Sequence, residues 1–253
     1  MSATAVLDQL RALGTIEARK TLARHGAPES MFGVRFADID KLAKQHRGDH
    51  ALACELWASE NVDARILAVK IADPEQLSAA ELDRWLGQLR WYMGIDVFVG
   101  SLRVTSEHAQ QKAAAWRKAR DELRGRAGWQ LIASLAADRS IPDEWFSSYI
   151  DEIAAGIHAA PNRKREAMNS ALIAIGGYRE ALREQALAAA DRIGKVDVDH
   201  GDTYCKTPDA RSYIEAMVAH ARGKKPAAKK KPAAKKKTAA KKKTAAKKKT
   251  AAK

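Results

Sequence analysis

Through the first 222 positions, apolar side chains return at the spacing of an α-helix, a rhythm that excludes most other ways of folding. Val6, Leu10 and Leu13 form one stripe, Ile39, Leu42 and Ala43 a second, and Leu52, Leu56 and Trp57 a third. Further on come Ile66, Leu67, Val69 and Ile71, then Leu82, Leu86 and Leu89, then Leu131, Ile132 and Leu135. Ile150, Ile153 and Ile157 follow, and then Leu172, Ile173 and Ile175. A half-buried strand needs strict alternation, and no alternating β-branched run of convincing length occurs. The breaks fall at Gly14, Gly26, Gly48, Asp73-Pro74, Gly100, Ser140-Ile141-Pro142, Pro161, Gly176-Gly177 and Gly201. Ser78 followed by Glu81 reads as a capping box. Thr207 before Pro208 reads as an N-cap with proline at the first helical position. About twelve or thirteen helices joined by short turns are expected.

Helices this short are marginal alone, so each must bury its apolar face on neighbours. Antiparallel pairs stacked in series, without a strong sequence repeat, predict an all-α fold of the HEAT-like α-solenoid type. A compact helical bundle is the alternative that periodicity does not separate from it.

The last stretch obeys a different rule. From Gly223 to Lys253 the chain repeats KKPAAK and KKTAAK with a period of six, holding 15 lysines and no acid. The net charge of the full chain is +14, so the entire basic excess belongs to this tail and residues 1–222 are one charge short of neutral. Pro226 and Pro232 interrupt any helix, and nothing in the repeat could build a core. Two units are therefore expected: a helical domain over 1–222 and a disordered tail over 223–253, with an extended reach of roughly 100 Å. A flexible polycation suits a polyanion. Lys229, Lys230, Lys235, Lys236, Lys241, Lys242, Lys247 and Lys248 are expected to meet duplex DNA phosphates without reading sequence. The composition resembles the lysine–alanine–proline tails of linker histones and of some bacterial nucleoid proteins.

The two cysteines, Cys54 and Cys205, are far apart and make no disulfide framework. The N-terminus carries Asp8 and no basic segment ahead of a long apolar one, so no signal peptide is expected. No apolar run approaches the roughly 20 residues that span a bilayer. The expectation is a cytoplasmic, nucleoid-associated bacterial monomer with no membrane partner. No GxxxxGK, GxGxxG or nucleophile elbow is present, and no cofactor is expected. Asp197, Asp199, His200, Asp202 and Cys205 gather metal-capable groups in nine positions, but the spacing fits no zinc pattern. A polar loop with Asx-turns is expected there, and no metal.

Three segments carry a family resemblance: FGVRFADIDKLA at 32–43, LWASENVDARILAVKIA at 56–72 and WRKARDELRGRAGWQLI at 116–132. In order and helical context they resemble the HEAT-repeat DNA alkylation repair proteins over roughly 30–190. That resemblance implies an alkylpurine DNA glycosylase or a catalytically silent relative. Active members remove purines that already carry positive charge at N3 or N7. Their site must supply negative charge beside the developing sugar cation and a positioned water.

By the same resemblance, the site falls in RWYMGIDVFV at 90–99. Asp96 takes the place of the catalytic carboxylate. Tyr92, one turn earlier on the same face, or Trp91 takes that of the first aromatic, against DNA. Arg126 falls where the family has a phosphate-binding arginine, within a basic cluster of Arg117, Lys118, Arg120 and Arg124. A second cluster, Arg163, Lys164 and Arg165, is also a DNA-binding candidate. The ordinary alternative is a core stripe through Trp91, Ile95 and Val99 and a solvated face carrying Asp121 and Glu122 among the cations. One departure stands out: where active relatives close the cleft with a late aromatic, REAMNSALIAIGG offers Asn169 or Ser170. The expected function is excision of alkylated purines from duplex DNA. The alternatives are a non-catalytic binder of distorted or branched DNA and a scaffold localised to the nucleoid.

Overall fold

The computed structural model describes residues 1–101 and 106–223. Among them run thirteen α-helices and no strand. They are α1 (Ala3–Leu13), α2 (Ile16–Arg24), α3 (Phe36–Gln45), α4 (His50–Ala58), α5 (Val62–Ile71), α6 (Ala79–Gln88), α7 (Tyr92–Ser101), α8 (Ser106–Trp116), α9 (Glu122–Leu135), α10 (Asp143–Gly156), α11 (Asn162–Tyr178), α12 (Arg183–Ile193) and α13 (Ala210–Ala221). The tail lysines Lys229 through Lys248 lie outside the described residues.

Local chemistry starts most of these helices. Ser2, Thr15, Asp49, Asn61, Ser78 and Asp121 each turn a side-chain oxygen onto a free N–H of the first turn. At α6 the box is complete, with Glu81 reaching back to the Ser78 backbone. Two sequence expectations shift. The cap of α13 is Asp209, which accepts from the Ser212 N–H at 2.9 Å, two residues after Thr207. Thr207 is occupied by His200 and the Pro208 carbonyl by Asn169, so neither opens the helix. Nor does Gly176-Gly177 stop α11, which continues to Tyr178. A Cβ at Gly176 would sit 2.6 Å from Ile214 Cδ1, so glycine is there to let α13 approach.

The helices stack in two rows. In the odd-numbered row α5 packs between α3 and α7, α7 on α9, α9 on α11 and α11 on α13. In the even-numbered row, side chains bind neighbour to neighbour. Trp57 of α4 stacks on Trp85 of α6 at 4.2 Å between ring centres. Asp83 of α6 accepts from Lys112 and the Trp116 indole of α8, both at 2.6 Å, and Ser147 of α10 meets Gln185 of α12 at 3.1 Å. One continuous apolar core fills the space between the rows, from Val6 to Ile214. Where α9 crosses the end of α8, Gly128 lies so close that a Cβ would stand 2.1 Å from the Arg117 nitrogen. Among the described residues no helix is long and apolar enough to cross a membrane.

Candidate functional site

The odd-numbered row carries a closed polar cluster. Asp96 projects from α7 and receives both arms of the Arg126 fork from α9, Nε at 2.8 Å and Nη2 at 2.7 Å. The remaining nitrogen, Nη1, donates to Glu166 of α11 at 2.8 Å and to the Arg163 carbonyl at 3.0 Å. Glu166 also accepts from Arg163 Nη1 at 3.1 Å. The Arg163 guanidinium lies over the Tyr92 ring, 4.0 Å from its centre. The Tyr92 hydroxyl is 2.7 Å from Nδ1 of His25, the residue that caps the end of α2. Two carboxylates thus face two guanidinium groups, and the charges cancel within the cluster.

Burial and pairing set the electrostatics. Desolvation pushes the Asp96 carboxyl above its ordinary range, against the pull of Arg126. For Arg126 desolvation works against the charge, but Asp96 and Glu166 prevail and hold the guanidinium above its ordinary value. Burial likewise raises the Tyr92 hydroxyl.

The expected site residues divide into two groups. Asp96 and Tyr92 stand together, with the Asp96 side chain still 36% exposed. Trp91 does not join them in a cleft. It is 3% exposed, stacked beside Phe36, with its indole N–H on the His25 carbonyl at 2.8 Å. Arg126 is also 3% exposed, and its bonds leave at most one N–H for an outside anion. It ties three helices together, which is a poor position for gripping a phosphate. Arg117 is turned onto Glu152 at 3.0 Å and over the Tyr149 ring, and Arg124 holds Asp83. Lys164 reaches the Ala119 carbonyl at 3.3 Å, and burial lowers its ammonium from the ordinary lysine range. Arg165 donates to the carbonyls of Asp197, His158 and Ala160. Lys118 and Arg120 are exposed, on the α8–α9 joint that Lys164 holds against the start of α11.

Neither candidate for the late position walls a cleft. Asn169 is buried and donates to the Pro208 carbonyl, and the Ser170 hydroxyl returns to the Glu166 carbonyl one turn earlier. The loop of acids before α13 has its own role. Residues 194–209 run along the start of α11, fastened by Asn162 to both backbone groups of Asp199 at 2.7 Å and by Arg165 to Asp197. Asp199 makes the expected Asx-turn onto the Gly201 N–H at 2.8 Å, and His200 sits 3.9 Å from Glu166. Among the described residues no group of three or more His, Cys, Asp or Glu side chains could hold a metal ion.

Sequence reading missed Glu166 and His25. Glu166 left a faint sign, lying three residues after Arg163 on one helical face. His25 left none, since its partner is 67 positions away.

The model of a family described as DNA alkylation repair enzyme matches residues 6–217. An uncharacterised protein of Listeria innocua is 28% identical over 212 residues, 82% of this chain and 93% of its own length. Another from Listeria monocytogenes is equally similar, at 28% over 212 residues, with the same shares of both chains covered. A solved structure aligns with a TM-score of 0.79 at 30% identity, covering 88% of this chain and 96% of the other. It is described as a new family of proteins related to the HEAT-like repeat DNA glycosylases with affinity for branched DNA structures.

Proposed function

The chain belongs to the DNA alkylation repair enzyme family, and within that family we propose that it is a non-catalytic binder of distorted or branched DNA. One observation carries this reading: both oxygens of Asp96 accept from the Arg126 fork, so a guanidinium already offsets the negative charge that a sugar cation would need. The want of an aromatic at Asn169 and Ser170 points the same way, as does the affinity of the 30% identical neighbour for branched DNA. In this reading the exposed Lys118 and Arg120 and the partly exposed Arg163 meet backbone phosphates. The lysines of 223–253 keep the protein on DNA, and hence in the nucleoid, without choosing a site. The test is a mobility-shift titration of a three-way junction against a linear duplex of the same arm sequence. Tighter binding of the junction is expected. Equal affinity for both would overturn the reading.

A second reading, hydrolysis of the N-glycosidic bond of N3- or N7-alkylated purines, has a specific observation in its favour. Asp96 is partly exposed and desolvated beside Tyr92, where a carboxylate could face an oxocarbenium sugar. Release of methylpurine from methylated duplex, abolished in Asp96→Asn, would establish it and displace the first.

A further inference from the structure

The 194–209 segment does more than bridge α12 and α13. Its turn brings Asp202, Thr203, Tyr204 and Cys205 opposite Thr21, Arg24 and His25 at the end of α2, with a groove of about 400 Å³ between them. That volume falls at the lower end of the roughly 300–1,000 Å³ range of small-ligand sites. His25, which lines the groove, is also the residue bonded to Tyr92 of the cluster.

Tyr204 stands on its edge and is 98% exposed, the most open of the large apolar side chains among the described residues. The backbone that presents it is set in place. Thr203 donates to the His200 carbonyl and accepts from the Cys205 N–H, while Asp199 and Pro208 are pinned to α11 on either side. With the turn fastened, stacking on this ring costs the freedom of the Tyr204 side chain and little backbone ordering. Across the groove Arg24 is exposed and bonds its own helix, at Thr21, while Asp202 offers acceptor oxygens and no donor.

We propose that this groove is a subsite for an unpaired nucleotide, its base stacked on Tyr204 and its phosphate met by Arg24. The inference rests on the DNA-binding reading above and adds to it the feature of a branch that is recognised, a base freed from its stack. Stacking on an aromatic ring tolerates any base. Asp202 can only accept, so it suits the N–H donors of an unpaired base edge, exocyclic amine or imino N–H alike. The subsite supplies from the 199–207 turn an aromatic surface that α11 lacks at Asn169 and Ser170.

The experiment uses the full chain, with a three-way junction bearing one unpaired 2-aminopurine at the branch, the same junction fully paired, and a linear duplex. Wild type is expected to quench the 2-aminopurine. Tyr204→Ala should lose about tenfold in affinity for the unpaired-base junction while leaving the linear duplex unchanged. Tyr204→Phe should behave as wild type, and Arg24→Ala should lower the salt slope by about one. A probe that stays bright in the wild-type complex, or a Tyr204→Ala chain that binds all three DNAs as wild type does, would overturn the subsite alone. Failure of wild type to prefer either junction over the duplex would overturn the branched-DNA reading itself.

Discussion

Arg126 is the side chain on which the cluster turns. Removing it leaves Asp96 without its partner and Glu166 with Arg163 alone. Breaking a fully buried pair costs about 3–5 kcal/mol. The Asp96 side chain is 36% exposed and Glu166 keeps Arg163, so Arg126→Ala should cost less than that while still lowering the midpoint of chemical denaturation. Arg126→Lys, which keeps the charge and loses the fork, should fall between. Asp96→Asn is milder, since the amide oxygen still accepts one N–H. A loss of about 1–3 kcal/mol is expected by the same measurement. The chemical types at this site were legible in the sequence: an acid in an apolar setting, a tyrosine one turn before it, an arginine thirty positions on. Their orientation was not. Whether a guanidinium points out to a phosphate or in to a carboxylate depends on how α7, α9 and α11 pack, and helical spacing reports only which residues share a face.

Among the described helices, the fold was readable because most carry an apolar stripe and seven of the thirteen a side-chain cap. Joints were read less well where a residue had a long-range duty. Gly176 serves the approach of α13 and Thr207 serves His200, and neither duty leaves a local signature. Gly128 is the sharpest case of close approach. A methyl there would strike backbone rather than a flexible side chain, so Gly128→Ala should cost at least about 1–3 kcal/mol, measured as a drop in thermal midpoint. Asp83 links α6 to α8 and α9 and gives acid sensitivity a location. Burial works against its charge, but hydrogen bonds from Lys112 and Trp116, with the charge of Arg124, overcome that and hold the carboxyl below its ordinary value. A depressed folded value means the stabilisation is present above the unfolded aspartate pKa, near 4, and is lost as pH falls through the folded one. Asp83→Asn should therefore be less stable than wild type at neutral pH, with the gap closing in acid. Thermal melts across a pH series test this.

At the scale of the whole molecule, the chain joins a nearly neutral helical body to a strongly cationic appendage. Their contributions to DNA binding should separate by salt. Deleting 223–253 is expected to flatten the log–log dependence of affinity on salt by about 0.9 for each lysine–phosphate pair removed, while junction preference survives. Fluorescence anisotropy at several salt concentrations measures both. The appendage follows α13, and α13 packs on α11, the helix that supplies Arg163 and Glu166. The leash is thus rooted one helix away from the groove and cluster. In the proposed reading, lysines that caught a strand would confine its branches to a small volume around the recognising surface, and the weaker selective step would proceed as an intramolecular encounter at high effective concentration.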